Sequence, residues 1–212
     1  AMTREECVQA ILTGVDTVRD LKAEGYDLIV TGEMGIGNTT TSSACAAVLF
    51  DQAPEVVTGR GAGLSTEGLN KKVRAIERAI EVNHPDKTDA IDVISKVGGL
   101  DIAGMVGCYL GAAYYHLPIL IDGFISAISA YLAGMLSKTA KEYMIPTHGS
   151  AEPAAKLAME HLGMQAPIQA GMHLGEGTGA IMGLSLIDQG LNVYYHVATW
   201  DGAHVEAYTH QK

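Results

Sequence analysis

Two short runs set a carboxylate inside a glycine turn: Gly32-Glu33-Met34-Gly35-Ile36-Gly37 and Gly175-Glu176-Gly177-Thr178-Gly179. In the first run, small residues let backbone N–H groups approach a ligand closely. The residues from Thr39 onward read as a helix, whose positive end suits a single phosphate. Glu33 would be repelled by that phosphate, so its natural partner is the uncharged part of a ligand, a ribose hydroxyl or a ring nitrogen. The alternative is an acid that ties its own turn to nearby backbone N–H groups. Glu176 suits a general base near neutral pH if Met172 and Leu174 exclude water and raise its pKa. The alternative there is a helix N-terminal acid stabilised by the helix dipole.

Related motifs are excluded by particular residues. Gly32-x4-Gly37-Asn38-Thr39 has the spacing of a triphosphate loop, but Asn38 stands where the lysine must be, so an ATPase is disfavoured. The glycines do not match a dinucleotide fingerprint, which argues against a nicotinamide-dependent oxidoreductase. Ser150, after His148 and Gly149, lacks the glycine-flanked elbow of a hydrolase nucleophile and reads as a phosphate donor at a helix start. The histidines show no i, i+4 pair with a glutamate, so no metal site is expected.

These residues need a scaffold, and the chain alternates in a way that supplies one. Thr3 and Glu6 form a capping-box pattern, followed by apolar residues at helical spacing until Gly25. Residues 27–31 read as a strand, 39–50 as a helix, 117–121 as a strand and 125–136 as a helix, with Asp122-Gly123 the turn between the last two. Residues 143–145 form a weaker strand, 147–150 its turn and 154–162 the next helix. Residues 172–174 then lead into the second glutamate turn and a helix to about residue 187. Residues 65–82 read as an amphipathic helix with Lys71, Lys72, Arg74 and Arg78 on or near its polar side. The class is α/β, a parallel sheet flanked by helices in a Rossmann-like three-layer architecture. In such sheets the turns after strand C-termini share one edge, so Glu33, Asp122, Ser150 and Glu176 are expected in one crevice.

Composition sets the outer bounds. The 212 residues suit a single domain, and a net charge of -10 with no clustered lysine or arginine argues against nucleic acid and for small-molecule partners. The most apolar region, residues 100–136, is interrupted by His116, Pro118 and Asp122, so no membrane segment is expected. The three widely spaced cysteines, Cys7, Cys45 and Cys108, read as reduced, buried thiols of a cytoplasmic protein. Ala1 and Met2, directly ahead of the first helix, read as an addition to a chain cut from something longer.

Taken in order, TGEMGIGNTTTSSA (31–44), TGRGAGL (58–64), VGGLDIAGMVG (97–107), LPILIDGF (117–124) and HLGEGTGA (173–180) resemble the nicotinate-nucleotide:dimethylbenzimidazole phosphoribosyltransferase family, which assembles the lower ligand of cobalamin. The resemblance implies transfer of phosphoribose from nicotinate mononucleotide to 5,6-dimethylbenzimidazole or a related base, with inversion at C1′, no cofactor, and a homodimer. By position, Glu176 matches the general base and Glu33 the second acid. Gly35, Lys72 and Ser150 match phosphate-binding positions, and Met34 and Leu174 match walls of the base pocket. Ile36, Gly37, Asn38, Asp122, Gly123 and Gly175 join them as substrate-binding residues. Family members carry a further N-terminal segment that supplies part of the base pocket. Residues 1–212 are therefore expected to be one α/β catalytic domain, the larger C-terminal part of a longer enzyme with that pocket open on one side. The alternative function is a fragment that binds a nucleotide monophosphate without turnover.

Overall fold

The computed structural model of the chain describes residues 1–206 and 209. Helix α1 (Arg4–Ala23) begins with the expected reciprocal cap, the Thr3 hydroxyl accepting from the Glu6 amide while the Glu6 carboxylate accepts from the Thr3 amide. Strand β1 (Ile29–Val30) leads through the first glutamate turn into α2 (Thr39–Leu49). There follow α3 (Pro54–Val57), α4 (Thr66–Asn83), α5 (Ala90–Val97) and α6 (Leu100–Tyr115). Strand β2 (Ile119–Ile121), α7 (Phe124–Leu136) and a 3-10 turn over Lys138–Tyr143 come next. The chain closes with β3 (Met144–Pro146), β4 (His148–Ser150), α8 (Pro153–Leu162), β5 (Ile168–Met172) and α9 (Thr178–His196).

The strands are parallel, as the alternation requires, but they form two sheets. Order β1-β2-β3 makes one, with Ile29 opposite Ile119 and Ile119 opposite Met144; β4 and β5 make the other. Ile119, Leu120 and Ile121 are wholly buried, and each contributes about 1.5–3 kcal/mol by leaving water. The closest packing lies between α1 and α6. A Cβ at Gly14 would meet the Gly104 carbonyl at 2.0 Å, and one at Gly107 would meet the Ile11 carbonyl at 1.9 Å, so glycine at both positions lets the helix backbones touch. From that core the Tyr109 hydroxyl reaches Thr31 Oγ1 at 2.7 Å, fixing the end of β1 just ahead of the first glutamate turn.

Several expectations need correction. Residues 148–150 are a strand, not a turn, because their backbone pairs with β5. The strand before the second glutamate turn lies at Ile168–Met172 rather than 172–174, since Gln169 and Gly171 break the apolar run that marks a strand in sequence. Helix α9 continues to His196. Apolar residues recur at helical spacing into its later half, at Leu184, Ile187, Leu191 and Tyr194, yet that half is exposed among the described residues. Helices α3 and α5 had no sequence assignment, although Asp89 caps α5 by accepting from the amides of Ile91 and Asp92.

Candidate active site

The turns after β1, β2, β4 and β5 converge on one cavity of about 680 Å³. Glu33, Met34, Gly35, Ile36, Asp122, Gly123, Ser150, Leu174, Gly175 and Glu176 all line it. Thus the four polar residues expected in one crevice, Glu33, Asp122, Ser150 and Glu176, do meet there.

The two glutamate turns are stitched to each other. The Glu176 amide donates to the Glu33 carbonyl at 3.0 Å. A Cβ on Gly32 would lie 2.5 Å from the Gly177 nitrogen, and one on Gly175 would lie 2.8 Å from the Glu33 carbonyl. Glycine at 32 and 175 is therefore what permits the approach. Gly175, Glu176 and Gly177 are all left-handed, with φ of 79°, 59° and 80°. Glu176 has a Cβ in that region, which ordinarily costs about 1–2 kcal/mol.

What holds the second turn is Asp122. Its Oδ2 accepts from the Gly177 amide and its Oδ1 from the Ala180 amide, each at 3.0 Å, so it satisfies the open N-terminus of α9 from 55 residues away in sequence. Asp122 lines the cavity, and both of its oxygens are engaged by the amides at the start of α9. The consequence for Glu176 is direct. Among the described residues its carboxylate accepts no hydrogen bond, and the amides at the start of α9 are taken by Asp122 instead. Leu174 is 64% exposed and Glu176 is exposed as well, so the expected exclusion of water by apolar neighbours is not found. Glu33 lines the cavity, and its Oε1 accepts from the Met34 amide at 3.1 Å, the bond to its own turn that the alternative reading expects.

At the phosphate-suited end, Thr39 opens α2 and faces the cavity. Lys72 stands behind it. Expected on the polar side of its helix, it is instead buried, its ammonium donating to Thr39 Oγ1 at 2.9 Å and to the Gly59 carbonyl at 3.1 Å. Burial pushes its pKa down, and the negative charge of Glu152 partly opposes that. Gly37 and Asn38 do not line the cavity; the Asn38 amide donates to Asp101 Oδ2 at 3.0 Å, tying the α2 start to α6. Ser150 closes β4 instead of opening a helix, and its Oγ accepts from the Glu152 amide at 3.4 Å. Met34 and Ile36 are 60% and 72% exposed, so the apolar side of the cavity is open.

Sequence reasoning names Thr39 only as the start of a helix suited to a phosphate and does not select the glycine loop at 61–63, Ser126, His148, Glu152 or His173; all of these line the cavity. The quoted TGRGAGL run carried a signal for the loop. His148 carried only its place beside Gly149 and Ser150. It is buried with Nδ1 3.9 Å from Asp122 Oδ1, and burial holds its pKa below the usual value despite that carboxylate. His210 lies outside the described residues.

One cavity thus gathers the Glu176 carboxylate, which has no hydrogen-bond partner among the described residues, and Thr39 at the start of α2, with the buried Lys72 behind it. A family model described as phosphoribosyltransferase matches residues 1–205, and the chain belongs to that family. It is 49% identical over 211 residues to nicotinate-nucleotide–dimethylbenzimidazole phosphoribosyltransferase of Acetivibrio thermocellus, covering 100% of this chain and 60% of that protein. It is 47% identical over 208 residues to the protein of the same name from Clostridium acetobutylicum, covering 98% and 59%. The crystal structure of CobT from Thermus thermophilus superposes with a TM-score of 0.90 at 36% identity, covering 98% of this chain and 62% of that one. The chain thus spans about 60% of the length of the relative from Acetivibrio thermocellus.

Proposed function

We propose that this chain carries the centre that transfers phosphoribose from nicotinate mononucleotide to 5,6-dimethylbenzimidazole or a related base, yielding α-ribazole 5′-phosphate and nicotinate for cobalamin biosynthesis. The observation that carries the reading is the Glu176 carboxylate, which lines the cavity while Asp122 does the capping of α9 in its place. One benzimidazole nitrogen attacks C1′ as the bond from C1′ to the nicotinate nitrogen breaks. The bonding pair returns to the nicotinate ring, which leaves without its ring positive charge, and Glu176 takes the proton from the second benzimidazole nitrogen. Inversion follows from attack opposite the leaving group.

The chain's other residues divide the remaining work. Backbone N–H groups of the Gly35 turn, the α2 start at Thr39, Ser150 and the charge of Lys72 serve the phosphate. Glu33 serves the ribose or ring, and Met34, Ile36 and Leu174 supply apolar contact to the flat base. No cofactor enters these steps. Residues 1–212 act as one catalytic domain of a longer enzyme. The family resemblance supports a homodimer, for which the exposed Ile181, Met182, Leu186 and Leu191 of α9 offer surface. Free Cys7, Cys45 and Cys108 support a reducing, cytoplasmic setting; burial pushes the Cys7 thiol up to about 11 and the other two upward as well. Among the described residues no helix is long and apolar enough to cross a membrane.

The test is to incubate the chain with nicotinate mononucleotide and 5,6-dimethylbenzimidazole and look for α-ribazole phosphate and nicotinate by chromatography and mass. Product supports transfer by these residues. Mononucleotide binding by calorimetry without product supports the second reading, a binding fragment, which the open apolar side of the cavity favours. Light scattering of the purified chain tests the dimer.

A further inference from the structure

We propose that Asp122 is a positioning residue for Glu176: rather than binding substrate, its carboxylate holds the left-handed turn that presents Glu176 to the cavity. This rests on the reading of Glu176 as the proton acceptor. Three observations converge on it. Asp122 is 2% exposed at the end of β2, the central strand of its sheet, so its position is fixed by the core. Its two oxygens accept from Gly177 and Ala180, the residues one and four places after Glu176, through charge-assisted bonds at the positive end of α9. The turn it holds is one that a residue with a Cβ would leave if released, since Glu176 sits at φ 59°.

The two turns then share the labour in a defined way. The Glu33 carbonyl takes the Glu176 amide, and Asp122 takes the next amide along, so consecutive N–H groups are held by two different elements. His148 completes the arrangement from β4. Its ring lies against Gly179, where a Cβ would fall 1.8 Å from Nδ1, with Nδ1 3.9 Å from Asp122 Oδ1, so glycine at 179 lets the first turn of α9 pack beside His148 and Asp122. Losing one Asp122 bond frees the Gly177 amide, and the turn can relax toward ordinary helical or extended backbone. The carboxylate of Glu176 would then move by the length of a peptide rotation while the phosphate site, built on α2 and α4, stays in place.

Asp122→Asn is isosteric and keeps one acceptor, but its amide NH₂ faces a backbone N–H. Amide hydrogen exchange followed by NMR, without substrate, should show Gly177 and Ala180 exchanging about 10-fold faster or more, with the β2 amides unchanged. In steady-state turnover kcat should fall by about 100-fold, the size of effect that a small misplacement of a reacting group produces, with KM for nicotinate mononucleotide nearly unchanged. Adding Asp122→Asn to Glu176→Gln should cost no further activity, because the group being positioned is already disabled. A merely structural role would multiply the two losses. Unchanged exchange at both amides, or multiplying losses, overturns the proposal. If Asp122→Asn does not fold, Asp122→Glu replaces it: exchange at Gly177 and Ala180 faster than in the parent together with a lower kcat supports the proposal, and parent-like exchange at both amides together with lost turnover overturns it. Should the parent chain give no product at all, the transferase reading fails, and the exchange measurement alone decides whether Asp122 holds the turn.

Discussion

The two Gly-Glu turns read almost alike in sequence, yet they are held very differently. The turn at Glu176 is pinned at consecutive amides by the Glu33 carbonyl and Asp122, and its glutamate is left-handed. The turn at Glu33 is held through its carbonyl and by a bond that its carboxylate accepts from the Met34 amide, while Gly35 and Gly37 take up the positive φ angles. A Cβ on Gly37 would meet nothing within 4 Å, whereas one on Gly32 would strike the Gly177 backbone. One turn is held at consecutive amides by two other elements; the other has open space at Gly37. A proton acceptor needs a fixed place, and a phosphate or ribose contact tolerates adjustment.

The largest expected effect separates the two glutamates. Glu176→Gln keeps the shape but cannot accept the proton, so kcat should fall by about 10²–10⁴-fold while mononucleotide affinity by calorimetry stays nearly intact. Glu33→Gln should act mainly on KM, and an equal loss of kcat in both variants would erase the distinction. Next comes the contact between the turns. Gly32→Ala forces the backbones apart and should cost about 1–3 kcal/mol in denaturant unfolding, with turnover lost beyond that. Gly37→Ala meets only the left-handed penalty of about 1 kcal/mol; equal losses would mean the turns are not in contact.

A smaller effect is set by pH. Burial holds His148 below its ordinary value of 6.5, so between the folded value and 6.5 the unfolded chain binds more protons than the folded one. Stability therefore rises with pH through that window, is complete above 6.5, and is lost as pH falls through the folded value. Urea midpoints from pH 8 to 5 should show this fall, and His148→Gln should flatten it; a persisting slope would assign it to another group. The smallest effect is expected at Ile36→Ala, where the side chain is 72% exposed: stability should change by less than about 0.5 kcal/mol, and only affinity for the base should weaken.

By itself the sequence determined the parallel α/β class, the capping box of α1, the sites of the two glutamate turns and the family motifs. These are local matters: apolar period, glycine and acid types, and short spacings are all written within a few residues. Only tertiary structure decided the rest. Lys72 looks like a surface lysine on an amphipathic helix until the Gly59 loop and Thr39 cover it. Asp122 looks like a crevice acid until α9 arrives with two unpaired amides. Helix α9 keeps apolar residues at helical spacing to its end, at Ile187, Leu191 and Tyr194, yet nothing among the described residues buries its later half. In each case the deciding partner lies tens of residues away, and a carboxylate or ammonium takes its role from which donor or acceptor reaches it.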